Sequence, residues 1–371
     1  MARPAPPFWL TGPSRFATLP RSRARWALLL LIGMVAAALT ALATPDPAGP
    51  PDSLPPSVRQ NELWLYGSIV DSMRAGGDYY SVAESALRAG DYPLRPFTAF
   101  RLPTLAAMEA LLPYQAIIGL LWALGLTVAL VWHIRLRSAL SSSAARICAI
   151  ILLAGGIVAC VQPALILFHE VWAALLIALS MGLWRPGRWF DAAAVGLCAM
   201  LIRETAALYV LVMAVLAWRS GARRELFGWI GTLAIFAIIL TIHAIAVAKV
   251  TGPLDAAATG WLATNGVGFF IRALTLSTAL HSLPLALAAI LIALSLYGWA
   301  GWADPLGHRV FATLLAYAAM IALFIQADSF SAALMIAPLS LIGIAFAPDS
   351  VRDTVRAWLD IRRVRVQRIT R

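Results

Sequence analysis

Runs of about 17 to 25 mostly apolar residues recur along this chain of 371 residues. A helical run of that length spans the hydrocarbon core of a bilayer, which is about 30 Å thick. Backbone N–H and C=O groups find no water in lipid, so they must be hydrogen-bonded within the protein. The recurring runs therefore predict an all-α polytopic membrane protein.

The composition agrees with this prediction. Hydrophobic residues make up 61% of the chain, only 13% is charged, and the mean hydropathy is +0.80. That is more apolar sequence than one soluble core could bury, because soluble domains are about half apolar. The net charge of +11 would suggest a nucleic-acid partner in a soluble protein. Here the distribution of charge along the chain explains it better, so we expect no nucleic acid.

About ten transmembrane helices are predicted from the apolar runs. The first run resembles a signal peptide, because it follows three arginines and ends in Ala41-Leu42-Ala43. Its apolar core of about 18 residues is long for a signal peptide, so we predict a retained first helix. The ten runs cover residues 26–43, 114–134, 146–168, 170–184, 188–203, 205–218, 226–249, 282–300, 309–325 and 331–347.

The charges on the intervening segments predict an orientation. With the N-terminus in the cytoplasm, the cytoplasmic segments hold about 21 basic and about 6 acidic residues. This distribution supports the orientation, because positive charge resists translocation. The other side is then roughly −4 and the cytoplasmic side roughly +15. We therefore expect a multi-pass protein of the bacterial inner membrane with both termini cytoplasmic.

The predicted topology divides the chain into three parts. A basic cytoplasmic N-terminus covers residues 1–25, the transmembrane region covers 26–348, and a basic amphipathic cytoplasmic tail covers 349–371. Within the transmembrane region the first periplasmic loop, 44–113, is long. Apolar residues at helical spacing predict amphipathic juxtamembrane helices at about 58–75 and 79–89, suited to lie in the membrane interface.

Unusual polar residues collect on the predicted outer side. The first set lies in the long loop and comprises Glu62, Tyr66, Asp71, Asp78, Tyr79, Tyr80, Arg95 and Arg101. The second is His169-Glu170 at the start of the fourth run, and the third is Arg203-Glu204 after the fifth. Charges at a membrane edge are costly unless they are paired or hydrated, so they indicate functional sites.

Each set also has a purely structural interpretation. Glu170 would favour the N-terminal dipole of its helix, and Arg203 with Glu204 would form an ordinary ion pair. Arg95 and Arg101 would either bind a phosphate or extend toward the interface. His169 and Glu170, together with Glu62, are also residue types that hold a divalent cation.

The first loop resembles a known family. Glu62 is followed four positions later by Tyr66, then by Met73 and by Gly77-Asp78-Tyr79. This order resembles the GT-C superfamily of membrane glycosyltransferases, most closely the aminoarabinose-transferase and protein-mannosyltransferase types. His169-Glu170 is similar to that family's acid-bearing entrance to its fourth helix, and Arg203-Glu204 to its Arg/Lys-Glu step.

The resemblance implies a glycosyltransferase that moves a sugar from a polyprenyl-phosphate donor to a glycan or lipid acceptor at the periplasmic face. Glu62 takes the position of the catalytic acid, although the family has Asp there, with Asp78 or Asp71 as alternatives. Arg203, with Arg95 or Arg101, would stabilise the departing phosphate. His169 and Glu170 would hold the acceptor or a metal; Tyr79 and Tyr80 would either stack on a sugar ring or anchor the loop at the membrane interface.

Two other functions remain open from the sequence. A transporter or flippase of an anionic lipid or sugar phosphate would use the same outer charges, and it predicts polar residues and broken helices near the membrane midplane. A non-catalytic envelope assembly protein would not need Glu62, His169 and Arg203 to converge in space.

The orientation is tested by reporter fusions. A green fluorescent protein fused after Arg371 is expected to fluoresce, and alkaline phosphatase fused after Tyr92 is expected to be active, because the two reporters work on opposite sides of the inner membrane. The reciprocal fusions serve as controls. Active phosphatase after Arg371 would contradict the predicted orientation.

Overall fold

The structure is a computed structural model that describes residues 7–45, 56–258, 264–324 and 331–359; of residues 56–62 it describes only the helical backbone. Within these ranges all regular secondary structure is helical. The α-helices are, in chain order, α1 (Arg21–Leu39), α2 (Pro56–Arg74), α3 (Tyr79–Ala89), α4 (Thr104–Leu111), α5 (Tyr114–Ala139), α6 (Ser143–Ile157), α7 (His169–Leu183), α8 (Phe190–Ile202), α9 (Ala207–Arg219), α10 (Arg223–Val250), α11 (Gly266–Leu276), α12 (Leu285–Gly301), α13 (Pro305–Phe324), α14 (Ala337–Ser340) and α15 (Ala347–Leu359).

Five of the described helices are long and apolar enough to cross a membrane. They are Arg21–Ala43, Tyr114–Ala139, Ser143–Val161, Arg223–Val250 and Pro305–Phe324. A sixth span results if Ser331–Ala345 and α15, which meet at a 54° bend, are counted together. Shorter apolar helices, α7, α8, α11 and α12, accompany them. The chain is therefore an all-α membrane protein.

The predicted apolar runs overlap described helical segments, but only five or six of the ten meet the length and composition of a membrane span, and three places differ from the prediction. The run 146–168 begins in α6 but continues through the 3₁₀ segments Val158–Val161 and Pro163–Leu165, and the helix α11 lies between the runs 226–249 and 282–300, where no helix is predicted. The run 331–347 does not form one straight helix, because it is divided into the 3₁₀ segments Ser331–Ile336 and Ile342–Ala345 on either side of the one-turn helix α14.

Close backbone packing explains this broken segment. A side chain at Gly156 of α6 would collide with the carbonyl of Ala337, and one at Gly298 of α12 with the carbonyl of Gly343. Glycine at these places lets the broken segment lie directly against both helices. The backbones are then in direct contact, without side chains between them. Small residues allow the same close contact between paired helices in membranes.

The carbonyls released by the break are bonded by α12. The Ser295 hydroxyl donates to the Ser340 carbonyl, and the Trp299 indole donates to the Leu339 carbonyl at 3.0 Å. Irregular backbone is tolerated at membrane depth only where protein satisfies its polar groups. The broken segment meets that condition because it is buried almost throughout.

Helix α7 is the buried centre of the bundle. Almost every residue from His169 to Gly182 is buried, whereas α1 buries only Ala24 and Ala38. With 15 residues α7 is about 22 Å long, shorter than the ~30 Å hydrocarbon core. A short central helix leaves space beyond its N-terminus, and the polar residues His169 and Glu170 lie there.

At the opposite end the N-terminal segment is bonded to the last helix. The Asp349 carboxylate of α15 accepts the backbone N–H groups of Phe8 (2.7 Å), Trp9 (2.8 Å) and Leu10 (2.8 Å). The backbone N–H of Ser141 in turn donates to the Trp9 carbonyl at 2.7 Å, which attaches the same segment to the α5–α6 turn. We call residues 8–14 the N-terminal clasp.

Helices α2, α3 and α4 form a small unit with its own apolar core. They occupy the stretch in which amphipathic helices at 58–75 and 79–89 are predicted. Their buried side chains pack on each other and on α10, and the core consists of Leu65, Ile69, Val70, Tyr79, Ala83, Ala86, Leu87, Leu94, Phe100, Ala106 and Val247. The apolar faces are thus directed into this core, while Trp64 remains 50% exposed.

The clasp predicts a large effect of one substitution. Asp349→Ala removes the acceptor of three backbone N–H groups and a partner of Arg352 (3.1 Å), so it is expected to cost about 2–4 kcal/mol of stability. Thermal unfolding of the purified protein in detergent measures this. Arg356→Ala, at an exposed position of the same helix, is the control. Equal melting temperatures for both variants would contradict the clasp.

Candidate functional site

A cavity of about 360 Å³ lies between the α2–α4 unit, the segment from Tyr92 to Arg101 and the start of α7. Its size falls within the range of small-molecule sites, about 300–1,000 Å³. Aliphatic side chains of α2, α3 and α4 form much of its wall. The polar side chains that line it are Tyr66, Tyr79, Tyr92, Thr98, Arg101, Glu109 and His169.

Three predicted residues meet at one end of this cavity. Arg101 Nε lies 3.4 Å from the Tyr66 hydroxyl, and the rings of Tyr66 and His169 are 5.2 Å apart. His169 is buried, and neither of its ring nitrogens has a hydrogen-bond partner among the described residues. Buried polar atoms are normally bonded, so an unpartnered imidazole at a cavity wall is available to a ligand.

An ion-pair network lies directly behind this end. Arg203 Nε is 2.8 Å from Glu170 Oε1, and its Nη1 is 3.2 Å from Glu204 Oε2. All three side chains are mostly buried. Arg203 is thus occupied by two carboxylates, which leaves Arg101 as the better placed arginine for a ligand in the cavity.

Glu204 also holds the segment that carries Arg101. Its Oε1 accepts the backbone N–H of Leu102 at 3.2 Å. Burial acts to raise the pKa of Glu204, but Arg203 and Arg101 outweigh burial and the net shift is downward. The carboxylate therefore stays charged at neutral pH and fixes Arg101 relative to Arg203.

Backbone hydrogen bonds join the segment of Arg95 to residues 256–258, of which Ala258 lines the cavity. The backbone N–H of Arg95 donates to the Ala256 carbonyl at 3.2 Å, and Ala258 N–H donates to the Arg95 carbonyl at 2.7 Å. The Arg95 side chain is exposed and bonds to the Pro253 carbonyl. Arg95 therefore joins two loops and does not line the cavity.

The two predicted tyrosines of α3 have different surroundings. Tyr79 lines the cavity and donates its hydroxyl to the Arg101 carbonyl at 2.6 Å. The Tyr80 hydroxyl lies 3.2 Å from Nδ1 of His243, outside the cavity lining. Tyr79 thus positions Arg101, and Tyr80 bonds to α10.

Of the predicted catalytic carboxylates, the two whose side chains the structure describes, Asp71 and Asp78, do not line the cavity. Asp78 caps α3, because its side chain accepts the N–H groups of Tyr80 (3.1 Å) and Ser81 (3.2 Å). Asp71 is exposed and lies 3.5 Å from Arg74. Glu62 lies on the backbone of α2, but its side chain is outside the described residues.

Glu109 is a cavity residue that the sequence reasoning missed. It belongs to α4, is only 2% exposed, and its Oε1 has no hydrogen-bond partner within the described ranges. Burial raises the pKa of Glu109 to about 8, although Arg74 offsets part of this effect. A lone carboxyl in the apolar stretch 104–112 was the signal that could have identified it.

A metal site is not formed by the part of the chain that the structure describes. No three His, Cys, Asp or Glu side chains come close enough there to hold an ion. His169 and Glu170 are neighbours in sequence, but Glu170 is paired with Arg203. A site that includes Glu62 stays a prediction.

Comparisons with known proteins return no relative. No protein-family model, no curated protein and no solved structure matches this chain. The likeness to membrane glycosyltransferases therefore stays a prediction from residues and their spacing.

The raised pKa of Glu109 predicts a pH-dependent stability difference. Its folded-state value of about 8 lies above the ordinary 4.5, so the folded protein binds this proton more tightly than the unfolded chain does. The contribution of Glu109 to stability is then greatest below pH 4.5 and is lost as the pH rises to 8. Glu109→Gln, which does not titrate, should gain stability relative to the native protein between pH 5 and pH 8.

Melting temperatures of both proteins at several pH values measure this difference. Glu84→Gln on α3, whose carboxylate pairs with Arg88 at the surface, is the matched control. A constant difference between native protein and Glu109→Gln across this range would contradict the raised pKa.

Proposed function

We propose that this protein is a glycosyltransferase that takes a sugar from a polyprenyl-phosphate donor and transfers it to a hydroxyl acceptor at the periplasmic face of the inner membrane. The observation that carries the proposal is the cavity in which Arg101, Tyr66 and His169 meet beside the Glu170–Arg203–Glu204 network. Such a site offers a fixed positive charge, hydroxyl groups and an imidazole within one cavity.

Arg101 is the group proposed to bind the donor phosphate. A guanidinium can bond two phosphate oxygens at once, and burial strengthens that interaction. No carboxylate in the described ranges forms a direct ion pair with Arg101, whereas Arg203 has two. Arg203 therefore acts as a positioning residue, with Glu204 connecting it to the backbone beside Arg101.

The proposed reaction is an inverting displacement. The acceptor oxygen forms a bond to the anomeric carbon as the bond from that carbon to the phosphate oxygen breaks. A base takes the proton of the acceptor hydroxyl, and the polyprenyl phosphate leaves with the bonding electron pair. Arg101 stabilises the negative charge that develops on the departing phosphate.

Glu62 remains the proposed base. It lies one helical turn before Tyr66 on α2, and Tyr66 lines the cavity. Residues four apart on a helix share a face, so the sequence spacing from Glu62 to Tyr66 keeps Glu62 as the first candidate. Asp78 is the weaker alternative because its carboxylate is bonded to the backbone at the start of α3.

The proposal includes ten membrane crossings with the cavity on the periplasmic side. In support, the N-terminal clasp, the α5–α6 turn and α15 are bonded together at one end of the bundle. Arg15 of that end donates to the carbonyl of Trp302, which follows α12. The basic segments of the chain thus meet at one end, as a cytoplasmic face requires.

One feature favours the transporter hypothesis, which predicts a broken helix within the membrane. The broken segment 331–345 is such a helix, and a void of about 10 Å³ adjoins it. That space holds about one water molecule and its lining is almost entirely apolar. It cannot receive a sugar phosphate in this conformation, so transport is the second candidate.

A purely structural role in an envelope complex agrees less well with the geometry. It does not require outer polar residues from separate segments to converge. Tyr66, Arg101 and His169 come from three different segments and line one cavity.

Deletion of the gene tests the proposed reaction without knowledge of the sugar. A polyprenyl-phosphate sugar should accumulate in the membranes, and mass spectrometry of lipid extracts would identify it. Expression of Arg101→Gln or Glu62→Gln should fail to clear it, with a transfer rate about 10²–10³-fold below that of the native protein for Arg101→Gln.

Arg137→Gln is the matched control, because Arg137 is an exposed arginine at the far end of α5. It should clear the intermediate at the native rate. The proposal fails if no lipid-linked sugar accumulates on deletion. The assignment of the base fails if Glu62→Gln and Asp78→Asn both transfer at native rates.

A further inference from the structure

Glu109 has no part in the reaction as proposed, but it is a buried carboxyl group that lines the cavity. It is 98% shielded from solvent and lines the cavity together with Ile69, Val70 and Ala106. Its Oε1 has no hydrogen-bond partner among the described residues. Burying a carboxyl in apolar surroundings costs free energy unless some group bonds to it, so an unbonded one at a cavity wall points to a ligand.

The contacts of α2 place Glu109 away from the arginine end. Tyr66 on α2 contacts Arg101, which precedes α4, and Arg74 near the end of α2 donates to the backbone carbonyl of Glu109 at 2.9 Å. The two segments therefore run side by side in the same direction. From Tyr66 to Arg74 is eight residues, or about 12 Å of helix.

The cavity consequently has two chemically different ends. Arg101, Tyr66 and His169 form a cationic end, and Glu109, beside α2 about two helical turns further along, forms a carboxyl end. A sugar phosphate has the matching asymmetry, because its phosphate is anionic and its ring carries hydroxyl groups.

We propose that Glu109 is the sugar-recognition residue of this cavity and that its carboxyl group bonds to a hydroxyl of the donor sugar while Arg101 holds the phosphate. This inference rests on the proposed function. Glu109 is thereby a specificity-determining residue, and the base remains a separate group.

A hydroxyl is the partner that fits this carboxyl best. The raised pKa keeps Glu109 largely neutral at pH 7, so it offers both an O–H donor and a carbonyl acceptor. A sugar hydroxyl can use both. A neutral carboxyl also discriminates strongly, because a ligand without the hydroxyl leaves it unpaired.

Binding of short-chain lipid probes tests the assignment separately from catalysis. The probes are farnesyl phosphate, without sugar, and farnesyl phosphates that carry glucose, mannose or arabinose. Their affinities for the full chain in detergent would be measured at pH 7 for the native protein, Glu109→Leu, Glu109→Gln and Arg101→Gln.

Glu109→Leu should weaken binding of the best sugar-carrying probe about five- to tenfold and leave farnesyl phosphate unchanged. Glu109→Gln should bind within about twofold of the native protein, because an amide replaces a neutral carboxyl as donor and acceptor. Arg101→Gln should weaken both kinds of probe. Glu84→Leu, which removes a carboxylate outside the cavity, should change neither.

Two results would overturn the inference while leaving the proposed function in place. The first is that Glu109→Leu binds a sugar-carrying probe as tightly as the native protein does, although binding of that probe depends on Arg101. The second is loss of that binding in Glu109→Gln, since it would mean that Glu109 acts as a charged carboxylate and not as a neutral carboxyl group. If no probe binds the native protein, the proposed function itself fails.

Discussion

The fold depends on one constraint, which is that every polar backbone group in the hydrocarbon region must be bonded within the protein. Continuous helices satisfy it over most of the chain. Between Ser331 and Ala345 the helix is interrupted, and there the side chains of Ser295 and Trp299 on α12 bond the carbonyls that the helix no longer uses. The glycines of α6 and α12 make the necessary approach possible. The break is thus an integral part of the packing around α7.

The same constraint explains where charge is tolerated. Near the start of α7, Arg203 is enclosed by the carboxylates of Glu170 and Glu204. At the other end of the bundle Arg309 lies 3.0 Å from Glu225 and stacks on the ring of Trp184 at 4.0 Å. A buried ion pair contributes little net stability, but removal of one partner is costly. Such pairs therefore keep the segments that carry them in a fixed relative position. The Glu170–Arg203–Glu204 network fixes the wall of the cavity in this way.

Sequence reasoning located most of the helices because apolar runs of bilayer length are a strong signal. It also predicted Tyr66, Arg101 and His169 to lie on the outer side of the membrane, and all three line one cavity. It did not anticipate the broken segment, because the break depends on glycines that lie far apart in the sequence, such as Gly156 and Gly298. Composition within a single run carries no such information.

Other aspects of the site required coordinates for similar reasons. Asp78 and Glu109 are both single carboxylates near apolar sequence, and only tertiary packing distinguishes the exposed helix cap from the buried cavity residue. Likewise Arg95 and Arg101 look equivalent in the sequence. One is exposed and joins two loops, and the other lines the cavity, because the Tyr79 hydroxyl and the Glu204 carboxylate bond to the backbone at Arg101 and Leu102.

The N-terminal clasp has a consequence for biogenesis. Residues 8–10 are synthesised about 340 residues before Asp349, whose carboxylate receives their N–H groups. Chains are synthesised at about 5–20 residues per second, so these residues wait roughly 20–70 seconds for their partner. During that time α1 is inserted without its final anchor. Closure of the clasp therefore follows the synthesis of α15, and it connects the appearance of that helix to the assembly of the bundle.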